Sequence, residues 1–142
     1  MYLHWSELLI AEAGAAGLQP YVSAARAVST TRMGPEGLAA LLAALRTHLH
    51  SATMLCLDRC PLGKAGAARF VHASHVGHLR SLSMCEAGIT CQGAAALAGA
   101  LHAGLSGLTR LHLGINRIGD QAAEALAHAL RAGAAPQLSV LG

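Results

Sequence analysis

Apolar positions along this chain change their period at regular intervals. The sharpest example runs from Leu108 to Arg131, LTRLHLGINRIGDQAAEALAHALR. Its first half places Leu108, Leu111, Leu113, Asn116 and Ile118 in a short alternating run that closes in a turn, which predicts one strand with a buried edge. Its second half places Ala122, Leu126, Ala129 and Leu130 at three- and four-residue spacing, which predicts a helix. Gly119 and Asp120 precede that helix and supply an acidic N-cap candidate. A strand-turn-helix unit of about thirty residues cannot bury both apolar faces alone, so it calls for neighbours of the same kind.

Looser copies of the unit fill the rest of the chain. With Ile118 as the ruler, equivalent apolar residues fall at Ile10, Met33, Leu62 and Ile89, at spacings of 23, 29, 27 and 29. The whole chain, 1–142, therefore reads as a single repeat array with units at about 1–22, 23–50, 51–78, 79–107 and 108–137, and a partial sixth at 138–142. The first is degenerate: Leu3, Trp5, Leu8 and Ile10 take the strand positions and Gly14, Leu18 and Val22 the helix positions, with Pro20 set against any helix that includes it. In the second, Arg26 falls on a position that should be buried and Thr31 replaces the Asn, but MGPEGLAALLAALR aligns with IGDQAAEALAHALR residue for residue, with Pro35 where a first turn tolerates it. The third strand uses Ala52, Leu55, Leu57, Cys60 and Leu62, followed by Gly63, Gly66, Phe70 and Ser74. The fourth uses Leu79, Leu82, Met84, Ala87 and Ile89, then Gly93, Leu97 and Leu101, with Thr90 as the N-cap candidate. Leu138 and Leu141 begin the sixth.

These motifs resemble the ribonuclease-inhibitor type of leucine-rich repeat, whose units run LxxLxLxxN(or C)x(I/L) and then GxxxLxxxL. The 108–131 stretch matches each consensus position except the small residue of the helix, where Ala122 stands for Gly. The resemblance implies an α/β solenoid, an open horseshoe arc with a parallel sheet on its concave side and helices on its convex side, that binds other proteins. It also implies that Asn116 and Cys60 point inward and satisfy backbone groups at the bend after each strand, a ladder that Leu8, Thr31 and Ala87 interrupt. Repeat arrays end in polar capping units, and neither end here has one. The chain is thus expected to be a piece of a longer array, or a short one whose ends are covered by a partner or by self-association.

Composition narrows the function more than it names it. With 54% hydrophobic but only 3% aromatic residues, the core must be Leu and Ala in thin layers. A formal charge of +3 is too small and scattered to point to nucleic acid or an anionic membrane. Cys56, Cys60, Cys85 and Cys91 fit neither a zinc module nor a disulfide framework, which suits a reduced, cytoplasmic setting. MYLHWSELLIAEAG has no basic residue before its apolar part and carries Glu7 and Glu12, unlike a signal peptide. Ala87 to Leu108 holds no Asp, Glu, Lys or Arg, but the repeat register divides it between a turn, a helix and a loop, so no membrane span is expected.

Candidate chemistry is sparse. His72, His75 and His78 form HxxHxxH without a nearby Cys, Asp or Glu to complete a tetrahedral site, and His48 with His50 is weaker, so no metal is expected. The PLGKAGA stretch around Lys64 lacks the first glycine and the Ser or Thr of a phosphate-binding loop. GxSxG, HExxH and paired-carboxylate patterns do not occur, and we expect no enzyme and no cofactor. What remains is the face opposite the buried leucines, since side chains alternate along a strand. It places Met54, Cys56, Asp58, Arg59, Arg80, Ser81, Ser83, Glu86, Arg110 and His112 on one concave surface, beside Thr53, Cys85, Thr109, Gly114 and Ile115. Arg and Met amid charges are fitting anchors for a protein ligand. The expected function is a non-catalytic interaction module or scaffold. The alternative is a fragment of a larger regulator, either a NOD-like receptor or a GTPase-activating protein resembling that of Ran.

Overall fold

In the computed structural model, which describes residues 2–4, 27–30, 37, 39–41, 43, 52–72 and 77–142, six short strands pair in parallel in strict chain order. They are β1 (Tyr2–His4), β2 (Ala27–Ser29), β3 (Met54–Cys56), β4 (Ser81–Ser83), β5 (Arg110–His112) and β6 (Val140–Leu141). Three helices follow the third, fourth and fifth strands: α1 (Gly63–His72), α2 (Cys91–Ala103) and α3 (Asp120–Arg131). Gly37, residues 39–41 and Ala43 are also helical. Each helix packs on the next, α1 on α2 and α2 on α3. The architecture is an α/β strand-and-helix repeat with an all-parallel sheet.

The strand centres form a single row: Leu3, Val28, Leu55, Leu82, Leu111 and Leu141 are successive partners. This confirms the expected places of Leu3, Leu55, Leu82, Leu111 and Leu141, and corrects the second unit. There the register is two residues later than its spacing implied, so Val28 rather than Arg26 holds the central position. The cause is a shorter connection: Val28 to Gly37 spans nine positions, where Leu82 to Gly93 and Leu111 to Ala122 span eleven. Spacing counted back from the helix puts Arg26 on the central position, which the register gives to Val28. Thr30 then stands where Leu57, Met84 and Leu113 stand in later units, fully buried, its hydroxyl 4.0 Å from the Cys60 thiol. Arg26 and Thr31 lie outside the described residues, as do the first unit's Trp5, Leu8, Ile10, Gly14, Leu18, Pro20 and Val22.

Between sheet and helices lies a continuous core of Leu55, Leu57, Leu82, Met84, Leu111 and Leu113 from the strands and Phe70, Leu97, Leu101 and Leu126 from the helices. The layers come close because α2 carries a glycine at its crowded point. A Cβ on Gly93 would stand 3.0 Å from Ile89 Cγ2, 3.1 Å from Ala67 Cβ and 3.2 Å from the Gly63 carbonyl.

Helix ends differ in detail from the sequence reading. Thr90 occupies the N-cap of α2 with extended backbone, but its side chain makes no capping bond. At α3 the N-cap is Gly119, and Asp120 is the first helical residue, where its charge complements the positive end of the helix dipole. α3 stops at Gly133, whose φ of +83° lets its N–H reach the Leu130 carbonyl while Ala134 N–H reaches Ala129. That is the pair of bonds that closes a Schellman motif. The uncharged stretch 87–108 is divided as expected, with only Cys91–Ala103 helical, and no described helix is long and apolar enough to cross a membrane.

Candidate protein-binding face

The alternation that buries the central leucines sends the flanking strand residues to the other side of the sheet. Two rows result. Met54, Ser81, Arg110 and Val140 are successive partners in one, and Cys56, Ser83 and His112 in the other. Met54 is 38% exposed and Arg110 is exposed, while Cys56, Ser83 and His112 are half-buried. Ser81 differs from expectation: it is only 8% exposed. Its short side chain sits between the longer Met54 and Arg110, which makes it floor rather than contact surface.

Past the C-terminal ends of β3, β4 and β5 the chain turns through a left-handed residue in each unit: Arg59 at φ 60°, Glu86 at φ 52° and Ile115 at φ 55°. Non-glycine residues rarely adopt this conformation, and a β-branched one least of all. Arg59 and Glu86 face each other across the unit boundary, Nε to Oε2 at 3.0 Å, and Ile115 is 80% exposed. Beneath this lip Asp58 is locked in place: its Oδ1 accepts from the Ser83 hydroxyl at 2.7 Å and from the Cys85 N–H at 2.8 Å. Desolvation pushes the Asp58 carboxyl up, but the bonds from Ser83, Cys85 and Cys56, with the nearby charge of His112, outweigh it and hold the pKa below the ordinary carboxylate value. Cys56 moves the other way, its thiol raised chiefly by burial, with the Asp58 charge adding to it. Asp58, Arg59, Cys85 and Glu86 line an open depression of about 230 Å3.

Arg80 is exposed but stands outside the two strand rows. It lies one residue before β4, and its Nη1 donates to the Gly107 carbonyl at 2.8 Å. A Cβ on Gly107 would come within 2.7 Å of the same nitrogen, the free end of a flexible side chain that can shift to make room. The Arg80 carbonyl in turn accepts from Thr109 N–H, Arg110 N–H and the Thr109 hydroxyl, so Arg80 joins two units. The ten expected residues therefore divide into the two rows, the Asp58–Arg59–Glu86 lip and the structural Arg80. Cys85 belongs to the lip as well. The left-handed row and the bonds from one unit to the next were beyond single-unit reasoning, because each needs two units side by side.

Asn116 performs the inward role that the repeat resemblance implies. Its Oδ1 accepts from Ala87 N–H at 3.0 Å and Ile89 N–H at 3.1 Å, and its Nδ2 donates to the carbonyls of Met84 at 2.7 Å and Leu113 at 2.8 Å. Cys60 is buried and makes a much weaker contact, Sγ to the Thr30 carbonyl at 3.8 Å. Among the described residues no group of three His, Cys, Asp or Glu is placed to hold a metal. His78 is exposed in a turn, while His48, His50 and His75 lie outside the described residues.

No protein-family model matches the sequence, and no curated protein matches it either. A solved structure does: that of the leiomodin-1 actin-binding site 2, with a TM-score of 0.73 and 19% sequence identity over 88% of this chain and 73% of that one. At that identity the likeness shows a shared fold and no more.

Proposed function

We propose that the chain is a leucine-rich-repeat arc of the ribonuclease-inhibitor type and a non-catalytic protein-interaction module whose ligand sits on the open sheet face. The observation that carries this reading is the arrangement of that face. Rigid strands hold an exposed Met54 and an exposed Arg110 at fixed separation, and Arg110 has no side-chain partner among the described residues. Side chains that a scaffold orders but does not consume are suited to a partner.

The fold shared with an actin-binding site makes actin the first protein to test. The experiment is titration of monomeric actin into the purified chain, with Met54→Glu combined with Arg110→Glu as the blocked-face variant. Binding at micromolar affinity that the double variant weakens by about tenfold or more supports the reading. Binding indifferent to the variant would move the interface off the sheet, and no binding would remove actin as the partner.

A further inference from the structure

Resting on that reading, we infer that the open face takes an extended peptide segment along β4, one that sets an acidic side chain against Arg110 and an apolar one against Met54. β4 contributes only Ser81 and Ser83 to this face, between Met54 and Cys56 on one side and Arg110 and His112 on the other. Small residues on the middle strand let a foreign main chain approach between two taller walls. The alternate residues of an extended segment repeat about every 6.6–6.8 Å, the same spacing as Ser81 and Ser83 of β4 beneath it. Beyond Ser83 the row opens into the depression lined by Asp58, Arg59, Cys85 and Glu86, and on the β5 side Gly114 adds no side chain to obstruct it.

Charge selects the segment. The acidic groups of the face are already engaged, Asp58 by Ser83 and Cys85 and Glu86 by Arg59. Of the cations, Arg59 is paired with Glu86 and Arg80 is bound to Gly107. Arg110 is left with no local acid in contact, and a guanidinium suits bidentate recognition of a carboxylate. On the opposite wall the Met54 thioether adapts to varied apolar shapes.

The test is selection of binders from a displayed library of random ten-residue peptides on the purified wild-type chain. Affinities are then measured against Arg110→Glu and Met54→Glu, each first shown to keep the wild-type melting curve. Peptides enriched in Asp or Glu beside an apolar residue, weakened about tenfold by Arg110→Glu and by rising salt, are the expected result. Peptides blocked by Met54→Glu but without acidic enrichment would overturn the charge assignment and leave the open face as the binding surface. Peptides indifferent to both substitutions would overturn the segment and the face together. Failure to select any peptide would overturn the extended segment, while the actin titration would still judge the wider reading.

Discussion

Replacing Asn116 with Ala tests the link between two units at its most heavily bonded point. The side chain serves four backbone groups: the N–H of Ala87 and Ile89, and the carbonyls of Met84 and Leu113. Ala87, Ile89 and Met84 are fully buried and Leu113 nearly so, and none of these four groups has another partner among the described residues. An unsatisfied buried backbone group costs about 1–3 kcal/mol. Asn116 itself is half-buried, so water relieves part of the loss, and the net cost is about 3–5 kcal/mol. That is a large part of the roughly 5–15 kcal/mol that holds a domain together, and corresponds to a fall in Tm of roughly 10–15 °C.

Guanidinium denaturation followed by circular dichroism measures the change, with Asn116→Asp as the diagnostic companion. Asp keeps an acceptor for the two N–H groups but sets a carboxylate oxygen where an amide nitrogen now lies 2.7 and 2.8 Å from two carbonyls. It should therefore destabilise about as much as Ala despite its near-identical shape. A loss below about 1 kcal/mol for Asn116→Ala would refute the reasoning, because the four groups would then have found other partners at no cost.

Three further outcomes follow from the same geometry. Gly93→Val should cost about 2–3 kcal/mol in denaturant stability, since even its first carbon meets Ile89, Ala67 and the Gly63 carbonyl at 3.0–3.2 Å; an unchanged midpoint would mean the α1–α2 layer is not tightly packed. Ile115→Gly should stabilise by about 1 kcal/mol by relieving a β-branched residue at φ 55° whose side chain is largely in water, and a loss of stability would show that Ile115 is held by contacts instead. Because the Asp58 carboxyl is depressed on folding, its contribution is fully present above the ordinary Asp pKa of about 3.9 and is lost as pH falls through the lower folded value. The stability gap between wild type and Asp58→Asn should accordingly close with acid below that point, and a gap constant with pH would refute it.

The strand-and-helix order and the inward Asn116 were legible in the sequence because each depends on one unit's own periodicity. A leucine every two positions and an Asn three residues after the last one are local patterns, and the sheet kept them at Leu111, Leu113 and Asn116. The second unit failed where two local signals conflicted. Its helix matches the repeat residue for residue, but the loop before it is two residues short, so spacing counted back from the helix reaches Arg26 where the sheet holds Val28. Loop length leaves no periodic trace, so only the pairing of Val28 with Leu55 resolves it. The candidate face was legible as a list and not as a surface, since alternation gives the side of the sheet and not the height of the neighbours that hid Ser81.

Arg80 and Arg110 show how far a one-residue offset separates structure from function in such a fold. Each follows a buried leucine closely and each precedes or opens a strand, so sequence pattern treats them alike. Arg110 is the first residue of β5 and therefore obeys the strand's alternation onto the open face. Arg80 stands one residue before β4, outside that alternation, and its guanidinium is captured by the carbonyl of Gly107 in the loop leading to β5. A bond to a charged group contributes at most about 1.5–3 kcal/mol, and less here because the Arg80–Gly107 pair is exposed to water. Reversing Arg80 therefore alters a contact between units as well as the surface, whereas Arg110 can be reversed with the scaffold intact. The offset between the two arginines leaves Arg110 an exposed guanidinium at the start of β5 with no side-chain partner among the described residues, which makes Arg110→Glu the cleaner probe of the open face.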